Sequence, residues 1–110
     1  MCWGFVMQFA FEQRGGAQVV SVPGPRLDAA AADNFKTEIC RSIDQGVSSL
    51  VLDLSKVEFM DSSGLGAIVA CLKHMGSSGS ITLAAPTDPV MKVLRLTRMN
   101  QVFKVQDGAG

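Results

Sequence analysis

The stretch from Val51 to Leu72 limits most tightly what this chain can fold into. It begins within a short apolar run, Leu50 to Leu54, of the length and character of a buried strand. A connection carrying Ser55, Lys56 and Glu58 follows, and Asp61-Ser62-Ser63-Gly64 then opens a helix. Leu65, Ile68, Val69 and Leu72 recur at the i, i+3, i+4, i+7 spacing of one buried helical face. Asp and Ser are helix-start residues, because their oxygens accept hydrogen bonds from backbone N–H groups that the first turn leaves unpaired. Asp61 and Ser62 therefore read as a cap. A hydroxyl at the positive end of a helix is also a place prepared to hold a phosphate, and the two readings are compatible.

The flanks extend this strand-to-helix unit into an alternating pattern. Phe5 to Glu12 and Gln18 to Val22 read as two strands joined by Arg14-Gly15-Gly16-Ala17, a hairpin with permissive glycines. Phe5, Met7, Phe9 and Phe11 share one side of the first strand, with Gln8 and Glu12 on the other. Pro23-Gly24-Pro25 closes the second strand, and its prolines argue against sheet pairing there. Asp28 caps a helix running to Asp44, with Ala32, Phe35, Ile39 and Ile43 inward and Gly46 as the stop. Gly76 ends the central helix, and Ser80 to Ala84 is a strand that Pro86 terminates. Thr87 or Asp88 caps a third helix with Pro89 in its first turn; Val90, Val93, Leu94 and Thr97 mark its inner face. Gln101 to Val105 reads as a short last strand and residues 106–110 as a loose tail, while residues 1–4 form an N-terminal extension. The order ββαβαβαβ predicts a single α/β domain over residues 1–110, with a mixed sheet of about five strands, its later ones parallel, and helices packed on it.

Val51-Leu-Asp-Leu-Ser55 with Val57-Glu-Phe-Met-Asp-Ser-Ser-Gly-Leu-Gly66 resembles the signature of bacterial anti-sigma factor antagonists, which are STAS-domain proteins. The resemblance runs more weakly from the strand before Gly24 to Val105. It implies the STAS fold and a protein without turnover of its own. It also implies a partner, an anti-sigma factor of the serine-protein kinase type. The unmodified antagonist binds that partner and frees the sigma factor; phosphorylation switches binding off, and a PP2C-like phosphatase restores it. The family's phosphoserine is the second serine of Asp-Ser-Ser-Gly, which is Ser63 here. Met60, Asp61, Ser62, Ser63 and Gly64, with Gly24 and Asp28 from the neighbouring loop, are the expected partner-facing patch, since loops at one end of a parallel sheet converge. Met60 reads equally as a core residue. The family also contains non-switching scaffolds and transport-associated regulatory modules, often with the Asp-Ser-Ser-Gly block altered; here it is intact.

Composition narrows the alternatives. Ten basic and ten acidic residues cancel, so no net field draws the chain to nucleic acid or an anionic membrane. No segment has the length of a membrane span. Three cysteines, Cys2, Cys40 and Cys71, without a C-x-x-C pair suit a reducing compartment, with Cys40 and Cys71 as small apolar packing residues, and point to a cytoplasmic protein. A hydrolytic Ser62 or Ser63 needs a base, and the sole histidine, His74, lies eleven residues beyond Ser63 on the same helix. At the helical rise that is roughly 16 Å, too far to serve it. Asp53 resembles the phosphoacceptor of a receiver domain, but the acidic pair and lysine that such a site needs are missing, which leaves a magnesium ion short of oxygen ligands. No metal and no cofactor is implied.

Overall fold

The computed structural model describes residues 10–106. The part of the first expected strand at Phe5 to Phe9, the extension at residues 1–4 and residues 107–110 of the expected tail lie outside them; Gln106, expected to open that tail, is instead paired with Ala84 in the sheet.

Strand β1 (Ala10–Arg14) turns through Gly15 and Gly16 into β2 (Ala17–Ser21). The glycines have φ of 53° and 85°, and Arg14 pairs with Ala17, so this is the two-residue hairpin with both central residues left-handed. Helix α1 (Ala29–Asp44) leads to β4 (Ser49–Asp53), α2 (Ser62–Met75) to β6 (Ser80–Ala84), and α3 (Asp88–Leu96) to β7 (Lys104–Gln106). Among the described residues the main sheet has five strands in the order β1-β2-β4-β6-β7, antiparallel at the hairpin and parallel thereafter. The strands are laid down in chain order, so crossovers of one hand deliver every helix to the same face.

That face carries Val20, Leu50, Leu52, Ile81 and Leu83, paired in register across β2, β4 and β6, and Phe35, Ile39, Ile68, Val90 and Leu94 of the helices close on them. The opposite face presents Ser21, Val51, Asp53 and Thr82. Alternation along each strand assigns the two sides.

Two short strands were not foreseen. After Pro25 the chain forms β3 (Arg26–Leu27), which pairs in parallel with β5 (Phe59–Met60), and the N–H groups of Glu58 and Phe59 donate to the Pro25 carbonyl. The prolines do end the main-sheet pairing of β2, but they start a second ribbon rather than a plain loop. The expected strand at Gln101 to Val105 is also corrected. Met99–Gln101 is a 3-10 turn entered through Arg98 in the left-handed region (φ 60°), and β7 starts only at Lys104. Phe103, buried at the edge of the core, is what the apolar pattern registered there.

Smaller shifts follow from packing. Ser42 rather than Ile43 completes the buried face of α1. On α2 the buried set is Gly64, Leu65, Ala67, Ile68, Cys71 and Met75, with Val69 and Leu72 only half-buried, because this helix packs on α1 as well as on the sheet. Thr97, expected inside α3, is exposed.

Leu52 lies fully buried on β4, the middle strand of the main sheet. Leu52→Ala should lower the unfolding free energy by about 2–5 kcal/mol, read from urea denaturation with an unchanged m-value. A loss below about 1 kcal/mol would contradict this description of the core.

Candidate functional site

The β3–β5 ribbon sets the site. Leu27 pairs with Met60, and the next residue on each strand is an aspartate that caps a helix: Asp28 for α1, Asp61 for α2. Both caps have extended backbone, as a cap requires. Asp28 Oδ1 accepts from the Ala30 N–H at 3.2 Å, and Asp61 Oδ1 from the Gly64 N–H at 3.0 Å. The two helices thus begin side by side with their positive ends together.

Two glycines permit this approach. A methyl group on Gly64 would fall inside van der Waals contact with the Leu27 carbonyl, and one on Gly24 would overlap the Lys56 carbonyl. The space that a side chain at Gly64 would take is therefore filled by β3. Of the Gly24 to Asp28 loop, Leu27 lies against Gly64 and Gly24 against Lys56.

Ser62 and Ser63 occupy the first two positions of α2 and are both exposed. They open in different directions. Ser63 faces a groove of about 260 Å³ between α1 and α2, with Ala29, Ala32, Asp33 and Lys36 on its far wall. Ser62 borders a larger groove of about 570 Å³ between α2 and α3, apolar along Leu65, Val69, Val93 and Met99 and ending at Lys73. Met60 contributes to the floor of that groove but is only 2 % exposed and belongs to the core. Of the two readings of Met60 the structure supports the core one, and its place in an exposed patch is corrected accordingly.

Sequence reasoning missed Arg26, Phe59, Asp33 and Lys36. Arg26 Nε donates to Asp28 Oδ2 at 2.9 Å while its guanidinium lies 4.4 Å from the centre of the exposed Phe59 ring, so it spans the two short strands. Hydrogen bonding to Arg26 is the main reason that the Asp28 carboxyl is held below the usual aspartate range. Its contribution to stability is present above that range and is lost as pH falls through the lowered pKa. Only the tertiary ribbon brings these residues together, so nothing in their spacing announced them.

Asp53 Oδ1 accepts from the Ser55 N–H at 3.0 Å, which makes it the organiser of the turn after β4. Among the described residues no group of three His, Cys, Asp or Glu side chains could hold a metal ion. His74 contacts Asp44 at 2.7 Å, at the far ends of α2 and α1 from Ser63. Among the described residues no helix is long and apolar enough to cross a membrane.

The family model described as STAS domain matches residues 8–108. A Thermotoga maritima protein, provisionally named an anti-sigma factor antagonist, is 35% identical over 91 residues, which are 81% of this chain and 80% of that one. The crystal structure of an anti-sigma factor antagonist from Mycobacterium paratuberculosis superposes with a TM-score of 0.84 at 26% identity, covering 94% of this chain and 87% of the other. The Bacillus cell fate determinant SpoIIAA in its phosphorylated form shares the fold, with a TM-score of 0.67 at 24% identity over 89% and 90% of the two chains.

Two glycines on α2 test the ribbon against simple helix propensity. A methyl on Gly66 meets nothing, so Gly66→Ala should stabilise by roughly 0.5–1 kcal/mol, as alanine does in an unobstructed helix. Gly64→Ala should instead destabilise by about 1–3 kcal/mol, because Leu27 must move. Thermal and urea unfolding of both variants checks the opposite signs.

Proposed function

The chain belongs to the STAS domain family, and from that premise we propose that it is a phosphoswitched anti-sigma factor antagonist with Ser63 as the phosphoacceptor. In this reading it is a substrate and a binding partner, not an enzyme. Unmodified, it binds an anti-sigma factor of the serine-protein kinase type in the cytoplasm and frees the sigma factor. Phosphate on Ser63 ends that binding, and a PP2C-like phosphatase restores it. The contact surface is Asp61, Ser62 and Ser63 with Gly24 and Asp28, and Arg26 and Phe59 extend it along the ribbon; Gly64, expected in the patch, is buried against Leu27 and supports it from beneath.

The observation that carries this reading is the surroundings of Ser63. Its hydroxyl is exposed at the second position of a helix, beside the start of a second helix, in a groove that includes Lys36. A phosphate of charge about −1.5 to −2 is favoured there by both helix ends, so the fold tolerates it. On Ser62 the same group would instead border the apolar wall of Leu65, Val69 and Val93. A SpoIIAA structure in the phosphorylated form supports a phosphate being compatible with this fold. The effect of modification then falls on the partner, through obstruction and through repulsion from acidic groups across the interface.

Purified protein, its Ser63→Ala and Ser63→Glu variants, and anti-sigma kinases from the same organism should be mixed with ATP and analysed by affinity and by site mapping. The phosphate should map to Ser63. Ser63→Ala should bind with or without ATP, and Ser63→Glu should lose at least about ten-fold in affinity, roughly 1.4 kcal/mol, with unchanged circular dichroism. Phosphate on Ser62 alone would overturn the assignment. Binding indifferent to modification would identify a non-switching scaffold instead.

A further inference from the structure

Helices α1 and α2 run in the same direction, since each leads from the end of one parallel strand to the start of the next. At their far ends Asp44 and His74 are in contact at 2.7 Å. Cys40 precedes Asp44 by one turn, and Cys71 precedes His74 by one turn. One turn back from a contacting pair on two co-directional helices, the cysteines stand opposite each other. Towards the N-terminal ends, Ala29, Ala32, Gly66, Ala67 and Ala70 line the groove between the two helices. The two thiols are unbonded. Cys71 is fully buried, and that burial, followed by the neighbouring Cys40, pushes its thiol up to about 12. Cys40 is half-buried and opens into a surface cavity of about 480 Å³ that Lys36, Arg41 and His74 also line.

We propose that Cys40 and Cys71 form an oxidative modification site, at which a hydroperoxide converts the pair into a disulfide joining α1 to α2. The Cys40 sulfur, which solvent reaches, attacks the peroxide oxygen. The O–O bond breaks, the leaving oxygen takes the thiol proton, and Cys40 becomes a sulfenic acid. The Cys71 sulfur then attacks the Cys40 sulfur; the S–O bond breaks, and hydroxide departs as water with the Cys71 proton. Two thiols give up two electrons and the peroxide accepts them. A thiol reductant reverses the change by exchange at the accessible sulfur. Ser63 sits at the opposite end of the interface, so this site is independent of the phosphoswitch and stands or falls separately.

The test uses the full chain carrying Cys2→Ser, treated with hydrogen peroxide and analysed by intact mass and non-reducing tryptic mapping. The mass should fall by two hydrogen atoms, the peptide of residues 37–41 should be linked to that of residues 57–73, and dithiothreitol should restore both. The species should remain monomeric on a non-reducing gel. Cys40→Ser, which replaces the solvent-side partner and leaves the core intact, should abolish the link. Oxygen added to the cysteines without a link, a link between two chains, or two thiols left unreacted in the folded protein would each overturn the proposal.

Discussion

The absence of a side chain at Gly64 holds the site together. Because that position is bare, the backbone of Leu27 rests directly on the first turn of α2, and the β3–β5 ribbon can form. The ribbon fixes Asp28 and Asp61 as neighbouring caps, and the caps fix where α1 and α2 begin. Ser63 is exposed between the two helix starts as a result. A two-residue strand contributes little energy by itself; its effect is geometric, aligning two helices that the main sheet alone would leave free to slide.

The electrostatic character of the site follows from that alignment. Two helix N-termini and Lys36 offer positive potential, while Asp28, Asp33 and Asp61 supply negative charge, and two of these three carboxylates are committed to backbone N–H groups. A carboxylate so engaged offsets the helix end it caps. The unmodified surface is therefore close to balanced, as is the whole chain with its ten acidic and ten basic residues. On the proposed reading, a doubly charged group added at Ser63 would change the potential of this nearly neutral surface by a large fraction.

Local chemistry was legible in the sequence wherever one residue decides a conformation. The hairpin glycines, the caps Asp28 and Asp61, the stop at Gly76 and the strand from Ser80 to Ala84 all lie where their types require. What escaped depends on contacts distant in sequence. The β3–β5 ribbon joins residues more than thirty positions apart, and neither strand is long enough to show a period. The buried face of α2 includes Cys71 and Met75 because α1 covers a second side of it, which a single-stripe template does not anticipate. At the last strand, Phe103 supplied an apolar signal that belonged to a core plug rather than to sheet pairing. The candidate site was suggested by a motif, and its neighbours Arg26, Phe59, Asp33 and Lys36 became visible only in three dimensions.

The sequential order of the strands bears on how the molecule is made. Within the main sheet each parallel strand pairs with the main-sheet strand laid down before it, so each such unit emerging from the ribosome finds its docking edge already present. The search is short-ranged for a largely parallel sheet, a topology in which distant pairing usually slows folding. Helix α3 and β7 arrive last, so the wall of Val93 and Met99 beside Ser62 is the final part of this face to be built. A growing chain truncated before Asp88 would already hold both aspartate caps and Ser63, yet would leave the apolar flank of α2 uncovered and open to premature association.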